Sequence, residues 1–128
     1  MNVLFDTNFL IECAKKKIDF FLECERILDR PRIVILKQVT KELELISKDK
    51  KNNQEDRQAA GIILQIISNL SGKNMISIEE SEIMQADSAL LDYDGDESII
   101  ATFDKGLKSR IKNSMGMKIK NKSLALIR

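Results

Sequence analysis

Four acids stand where the sequence gives an acid little reason to be. Asp6 ends the apolar run Val3-Leu4-Phe5, and Asp104 follows Ile99-Ile100-Ala101, so two strand-like stretches each deliver a carboxylate at the same end. Asp87 is three or four residues from each of Ile83, Met84, Leu90 and Leu91, which places it mid-stripe on the buried face of a helix. A lone carboxylate there is costly unless it is paired, protonated or bound to a cation. Glu42 is three residues from Val39 and four from Ile46 and so flanks an apolar helical stripe, whereas Glu44 points away from it. Each acid has a plainer role: loop contacts for Asp6, a contact to a helix terminus for Asp87, helix capping for Asp104, surface solvation for Glu42. The conjunction is more telling, because carboxylates gathered at one sheet edge repel one another unless divalent cations neutralise them.

The chain has no histidine, so any metal must be held by oxygen, which favours Mg²⁺ or Mn²⁺ over Zn²⁺ and excludes a histidine base. Cys13 and Cys24 both fall within helical apolar patterns and read as core thiols rather than a disulfide or redox centre. Charge is segregated. The eight bases after position 104 face no acid, so the first 104 residues carry 13 bases against 20 acids, net −7. A basic segment beside an acid-rich body suits an anionic substrate, although a solvated face explains the same bias. The acidic run Asp92-Tyr93-Asp94-Gly95-Asp96-Glu97 imitates a calcium loop, but its glycine comes too early and its twelfth position is Phe103.

The elements that must position these residues form an alternating series. At 128 residues, with 43% hydrophobic and 32% charged positions, residues 1–128 suit one packed domain. A strand over Asn2 to Phe5 is followed by Asn8 as the cap of a helix from Phe9, and a second helix carries Phe20, Phe21, Cys24, Ile27 and Leu28. Arg32 to Leu36 reads as a strand covered on both faces, then helices run from about Gln38 to Ser47 and through Ala59 to Leu70, where Gly72 serves as a C-terminal cap. Met75 to Ile78 gives a third strand, and the acidic turn Glu79 to Glu82 opens a helix reaching Asp92. Ser98 to Thr102 gives a fourth strand, Asp104 opens a helix carrying Leu107 and Ile111, and Lys118 to Lys120 with Ser123 to Ile127 supply one or two closing strands. The pattern predicts right-handed crossovers and a mainly parallel sheet with helices on both faces. No apolar run reaches membrane-spanning length and no signal peptide is evident, which points to the cytoplasm and no membrane partner.

With these residues in place, the chain resembles PIN-domain ribonucleases over nearly its whole length. The resemblance rests on Phe5-Asp6-Thr7-Asn8, Val39-Thr40-Lys41-Glu42-Leu43, Ala86-Asp87-Ser88-Ala89 and Ala101-Thr102-Phe103-Asp104-Lys105-Gly106-Leu107-Lys108. It extends to small archaeal PIN proteins similar to VapC toxins and to ribosomal-RNA processing factors. The resemblance implies a three-layer α/β/α sandwich, an α/β fold whose central mainly parallel sheet has four to five strands. It also implies that Asp6, Glu42, Asp87 and Asp104 ligate Mg²⁺ or Mn²⁺, with Asn8 and Thr102 supporting the acids. Two positions depart from the family pattern: Ser88 stands where many relatives carry a second Asp, and Phe103 where Asn commonly precedes the last acid.

The expected function is metal-dependent hydrolysis of RNA phosphodiester bonds, in toxin-type or ribosomal-RNA-processing cleavage. The resemblance implies 5′-phosphate and 3′-hydroxyl products. Lys105, Lys108 and Arg110 are candidate phosphate contacts, with an exposed helix face as the plainer alternative. Partners implied by the resemblance are RNA, an antitoxin or ribosomal partner, and by family habit a second copy of the chain. One rival is a PIN-fold module that binds RNA or the ribosome with little turnover. A second is a phospho-acceptor signalling domain, in which Lys37 has a role and Asp87 has none.

Overall fold

The computed structural model describes residues 1–118 and 120–127, so Ile119, within the expected strand Lys118 to Lys120, and Arg128 lie outside the described residues. The apolar run at the start forms β1 (Asn2–Phe5), and α1 (Thr7–Lys15) follows after a single residue. Helix α2 (Phe20–Ile27) is capped by Asp19, whose side chain accepts from Leu22 N at 3.0 Å. Strand β2 (Arg32–Leu36) leads directly into α3 (Lys37–Lys48), and α4 (Gln54–Gly72) is capped by Asn53. The remaining elements are β3 (Ser77–Glu79), α5 (Ala86–Asp92), β4 (Ser98–Ala101), α6 (Lys105–Lys108), β5 (Ser114–Lys118) and β6 (Ser123–Ile127).

Among the described residues the sheet has six strands in the order β3-β2-β1-β4-β5-β6, parallel except for the antiparallel β5–β6 pair. The expected four to five strands become six because the basic tail supplies a complete hairpin. Val3, Leu4, Phe5, Ile33 to Leu36 and Ile99 to Ala101 are all buried, as expected of central parallel strands covered on both faces. Phe5 packs against Phe9 at 5.9 Å and edge-on against Phe20 at 5.2 Å, which fastens α1 and α2 to β1. Helix α2 also clasps β6: Arg26 donates to Leu124 O at 2.9 Å, and Glu23 accepts from Leu124 N at 2.9 Å. Both cysteines are buried and free, as expected of core thiols.

The chain passes from β1 to β2 to β3 in one direction across the sheet, then returns past β1 and runs through β4 to β5 in the other. Under the right-handed crossover rule this reversal puts α5 and α6 on the face opposite α1–α4. It also makes the carboxyl ends of β1 and β4 the topological switch point, where open α/β sheets place their crevice.

Several boundaries differ from the sequence reading. Asp6, not Asn8, is the N-cap of α1, so the helix begins two residues earlier than expected and the strand-end acid is also the capping acid. The third strand is Ser77–Glu79 rather than Met75 to Ile78. Gly72 is the last residue of α4, and Asn74 takes the left-handed conformation with φ 58°. The expected helix from Glu79 is absent until Ala86. Gln38 donates its Nε2 to Ser81 O at 2.9 Å and Ile83 O at 2.6 Å, and Ser81 Oγ accepts from Ile83 N, which holds these residues in an irregular turn.

Candidate functional site

The parallel register decides which residues meet at the switch point. Leu4 pairs with Ile100 and Phe5 with Ala101, and Asp6 N donates to Ala101 O at 2.9 Å. One step further, Asp6 faces Thr102. Thr102 is wholly buried; its Oγ1 donates to Asp6 Oδ2 at 2.9 Å and accepts from Asp104 N at 3.1 Å. This single hydroxyl ties the ends of β1 and β4 together and links two of the four acids.

Asp6 is 8% exposed, and its other oxygen accepts from Thr7 N at 2.8 Å. Burial pushes its carboxyl above the ordinary range; the hydrogen bonds from Thr102 and Thr7 pull it down, and the charges of Asp87 and Asp104 push it up again. Glu42 is half-buried and also pushed up, chiefly by burial and further by Asp6 and Asp87. Thr7 opposes that shift. Its buried hydroxyl lies close to Glu42 without completing a hydrogen bond of normal geometry. Asp104 caps α6, its Oδ1 accepting from Leu107 N at 2.8 Å.

All four acids line one cleft of about 870 Å³. Asn8 lines it as well, whereas Thr102 lies beneath the acids as the buried link between them. Asp87 is not in a buried stripe. Helix α5 begins only at Ala86 and buries Ala86, Ala89 and Leu90, Met84 is 84% exposed, and Asp87 projects from the first helical turn towards solvent. The turn held by Gln38 breaks the helical periodicity on which the buried position depended. Asp104 is also exposed.

The donor set is chemically suited to a hard divalent cation: it is all oxygen, negatively charged, and includes a buried carboxylate whose proton affinity is raised by burial and further by its acidic neighbours. The acids are nevertheless spaced apart. Among the described residues no three His, Cys, Asp or Glu side chains converge closely enough to hold a metal ion as they stand.

Cations reach the cleft from an element other than the expected one. Lys105, Lys108 and Arg110 do not line it, whereas Lys37 and Lys41 do. Lys37, Lys41 and Leu45 form one row along α3, and Gln38 and Glu42 form the adjacent row. The spacing of four was visible in the sequence, but on this helix only Glu42, flanking the apolar stripe through Val39, stood out as a site residue. Lys37 faces Glu80 at 3.5 Å, while Lys41 has no ion-pair partner among the described residues.

The chain is similar to known proteins in sequence and in fold. The family described as PIN like domain matches residues 3–121. Ribonuclease VapC4 of Methanocaldococcus jannaschii is 35% identical over 109 residues, which span 83% of this chain and 79% of that one. The solved PIN domain endonuclease Utp24 superposes with a TM-score of 0.72 at 22% identity, over 98% of this chain and 90% of that chain, a likeness of fold. With the family matched from the first buried strand to the closing hairpin, and a curated relative aligned over most of both lengths, this chain belongs to the PIN-like domain family.

Proposed function

We propose that the chain is a divalent-metal-dependent endoribonuclease of the toxin type, a single domain over residues 1–128 that cuts RNA at the β1/β4 cleft. The observation that carries this reading is the presence of Asp6, Glu42, Asp87 and Asp104 around one cleft at the switch point. The 35% identity to a VapC ribonuclease favours the toxin type over ribosomal-RNA processing, because the Utp24 likeness concerns fold alone.

Asp6, Glu42, Asp87 and Asp104 would hold one or two Mg²⁺ or Mn²⁺ ions. Bound there, such an ion supplies Lewis acidity towards the phosphate and a more acidic water. The chain's own residues do the rest. Thr102 and Thr7 fix the two oxygens of Asp6, and Glu42, half-buried and with raised proton affinity, orients the attacking water. Lys37 and Lys41 meet the phosphate backbone, with Lys105, Lys108 and Arg110 extending the contact beyond the cleft. Asn8 supports the rim beside Asp6. The products are a 5′-phosphate and a 3′-hydroxyl.

The test compares wild type, Asp6→Asn and Asp87→Asn on single-stranded and structured RNA with Mn²⁺. Wild type cleaves and both variants lose cleavage; equal cleavage by all three refutes the assignment. One alternative is a PIN-fold module that binds RNA with little turnover, and RNA binding without metal-dependent cleavage supports it. No described helix is long and apolar enough to cross a membrane, and we place the protein in the cytoplasm. An antitoxin and a second copy of the chain are the partners to seek by co-purification and light scattering.

A further inference from the structure

Phe103 stands between the buried link Thr102 and the capping acid Asp104. Its neighbour Thr102 is fully buried and Leu107 is 5% exposed, yet the Phe103 ring is 40% exposed and lines the same cleft as Asp6 and Asp104. The ring is firmly held. It stacks on Phe9 with centroids 4.8 Å apart and an interplanar angle of 25°, Phe9 is itself fully buried, and Phe9 packs on Phe5 in turn. A column of three aromatic rings thus runs from the core to the cleft and ends in a partly open ring. The Lys108 ammonium lies over that ring, 6.0 Å from its centroid, so a base stacking there takes the place of this cation on the ring face. The stack presents the ring next to the acids, already ordered, at little further conformational cost.

We propose that Phe103 is a stacking platform for one unpaired base beside the scissile phosphate, with Lys108 positioned to meet that nucleotide's phosphate. The proposal rests on the reading of the cleft as an RNA site and deepens it by naming a residue that holds the substrate in place. Phenylalanine carries no hydrogen-bonding group, so the platform accepts any base and reads none. A base within an A-form helix already has both faces covered, so the platform requires a single strand, loop or bulge. Selection is therefore by unpairedness rather than by sequence at this position.

The test uses a fluorescein-labelled single-stranded RNA of mixed sequence and a series of it with an abasic nucleotide at each position in turn. Binding is read by anisotropy and cleavage by kcat/KM, for wild type, Phe103→Leu and Phe103→Trp. Leucine keeps the apolar volume without a ring, so the variant folds, and circular dichroism checks that it does. With wild type, one abasic position next to the cut weakens binding and cleavage by roughly 5- to 150-fold, the range equivalent to removal of one base–aromatic stack. Phe103→Leu shows that loss with intact RNA and becomes insensitive to the abasic position, while Phe103→Trp retains both affinity and sensitivity. Pairing the same nucleotide with a complementary strand removes the advantage of wild type over Phe103→Leu. An unchanged Phe103→Leu, or an abasic penalty that persists in it, overturns the proposal. Absence of cleavage by wild type refutes the hydrolase reading instead, and the anisotropy series then decides the stacking by itself.

Discussion

Replacing Thr102 by Val isolates the link between the two central strands. Valine has nearly the volume of threonine, so no cavity forms, and the change removes one buried hydroxyl that serves two partners. Asp6 Oδ2 loses a hydrogen bond to a charged group, about 1.5–3 kcal/mol, and the partly buried Asp104 N–H loses its acceptor, about 1–3 kcal/mol. Water reaching the exposed Asp104 recovers part of the second loss, which leaves a deficit of about 2–5 kcal/mol at neutral pH. The pH dependence follows from Asp6. Its folded carboxyl is pushed above 3.8 mainly by burial, so the ionised form costs stability, and stability is regained as pH falls through the folded pKa. Thr102 provides the strongest opposing pull. Without it the folded pKa rises further, so the Thr102→Val deficit is largest above that pKa and shrinks on acidification towards the unfolded value. Urea unfolding of both proteins from neutral pH down to about pH 4 measures this difference. A deficit that is constant across that range, or smaller than about 0.5 kcal/mol, refutes a charge-assisted link between Thr102 and Asp6.

The urea stability of wild type relative to Asp6→Asn should rise on acidification, because wild-type Asp6, its folded carboxyl raised chiefly by burial, takes up a proton that the amide cannot. A stability difference that does not change with pH would contradict the burial argument. Lys41→Ala should flatten the dependence of log RNA affinity on log salt by about 0.7, the contribution of one phosphate contact on a single strand, and an unchanged slope places Lys41 outside the RNA path. Cys13 and Cys24, each pushed up to about 12 by burial, should resist thiol reagents at mildly alkaline pH and react at once in denaturant; rapid labelling of the native protein would show that the core is open.

Elements of this fold are legible in the sequence where local chemistry and tertiary packing demand the same thing. The runs Asn2–Phe5 and Arg32–Leu36 are β-rich, fully apolar in their interiors and bounded by turn or capping residues, so both strands fall where expected. Helix α3 lies within one residue of its expected bounds because Val39 and Leu43 keep its core stripe in phase. The α5 segment failed for the opposite reason. Its apolar spacing suits a helix from Glu79, but a distant glutamine on α3 takes the Ser81 and Ile83 carbonyls, and the helix cannot begin until Ala86. Asp87 was thus singled out by a burial argument that the structure overturns, although it does line the cleft. The cationic lining was missed because basic residues concentrated after position 104 attract attention, while Lys37 and Lys41 are scattered among acids in the sequence and align only along the α3 helix.

The arrangement of the acids explains how one fold tolerates four like charges around a cleft. They come from four separate places: the end of β1, the middle of α3, the first turn of α5 and the cap of α6. Of the four, only Asp6 is buried, and it has a hydrogen-bond donor on each oxygen. Glu42 is half-buried, and Asp87 and Asp104 remain hydrated, which limits their mutual repulsion through the high dielectric of water. Asp104 also serves its helix as a cap, so its placement is secured by backbone geometry rather than by burial. The apparent symmetry of Asp6 and Asp104 in the sequence is therefore misleading. The register sets Asp6 opposite Thr102, two residues before Asp104, and the hydroxyl between them converts a repulsive pair of strand-end acids into one buried, fixed carboxylate and one exposed, capping carboxylate.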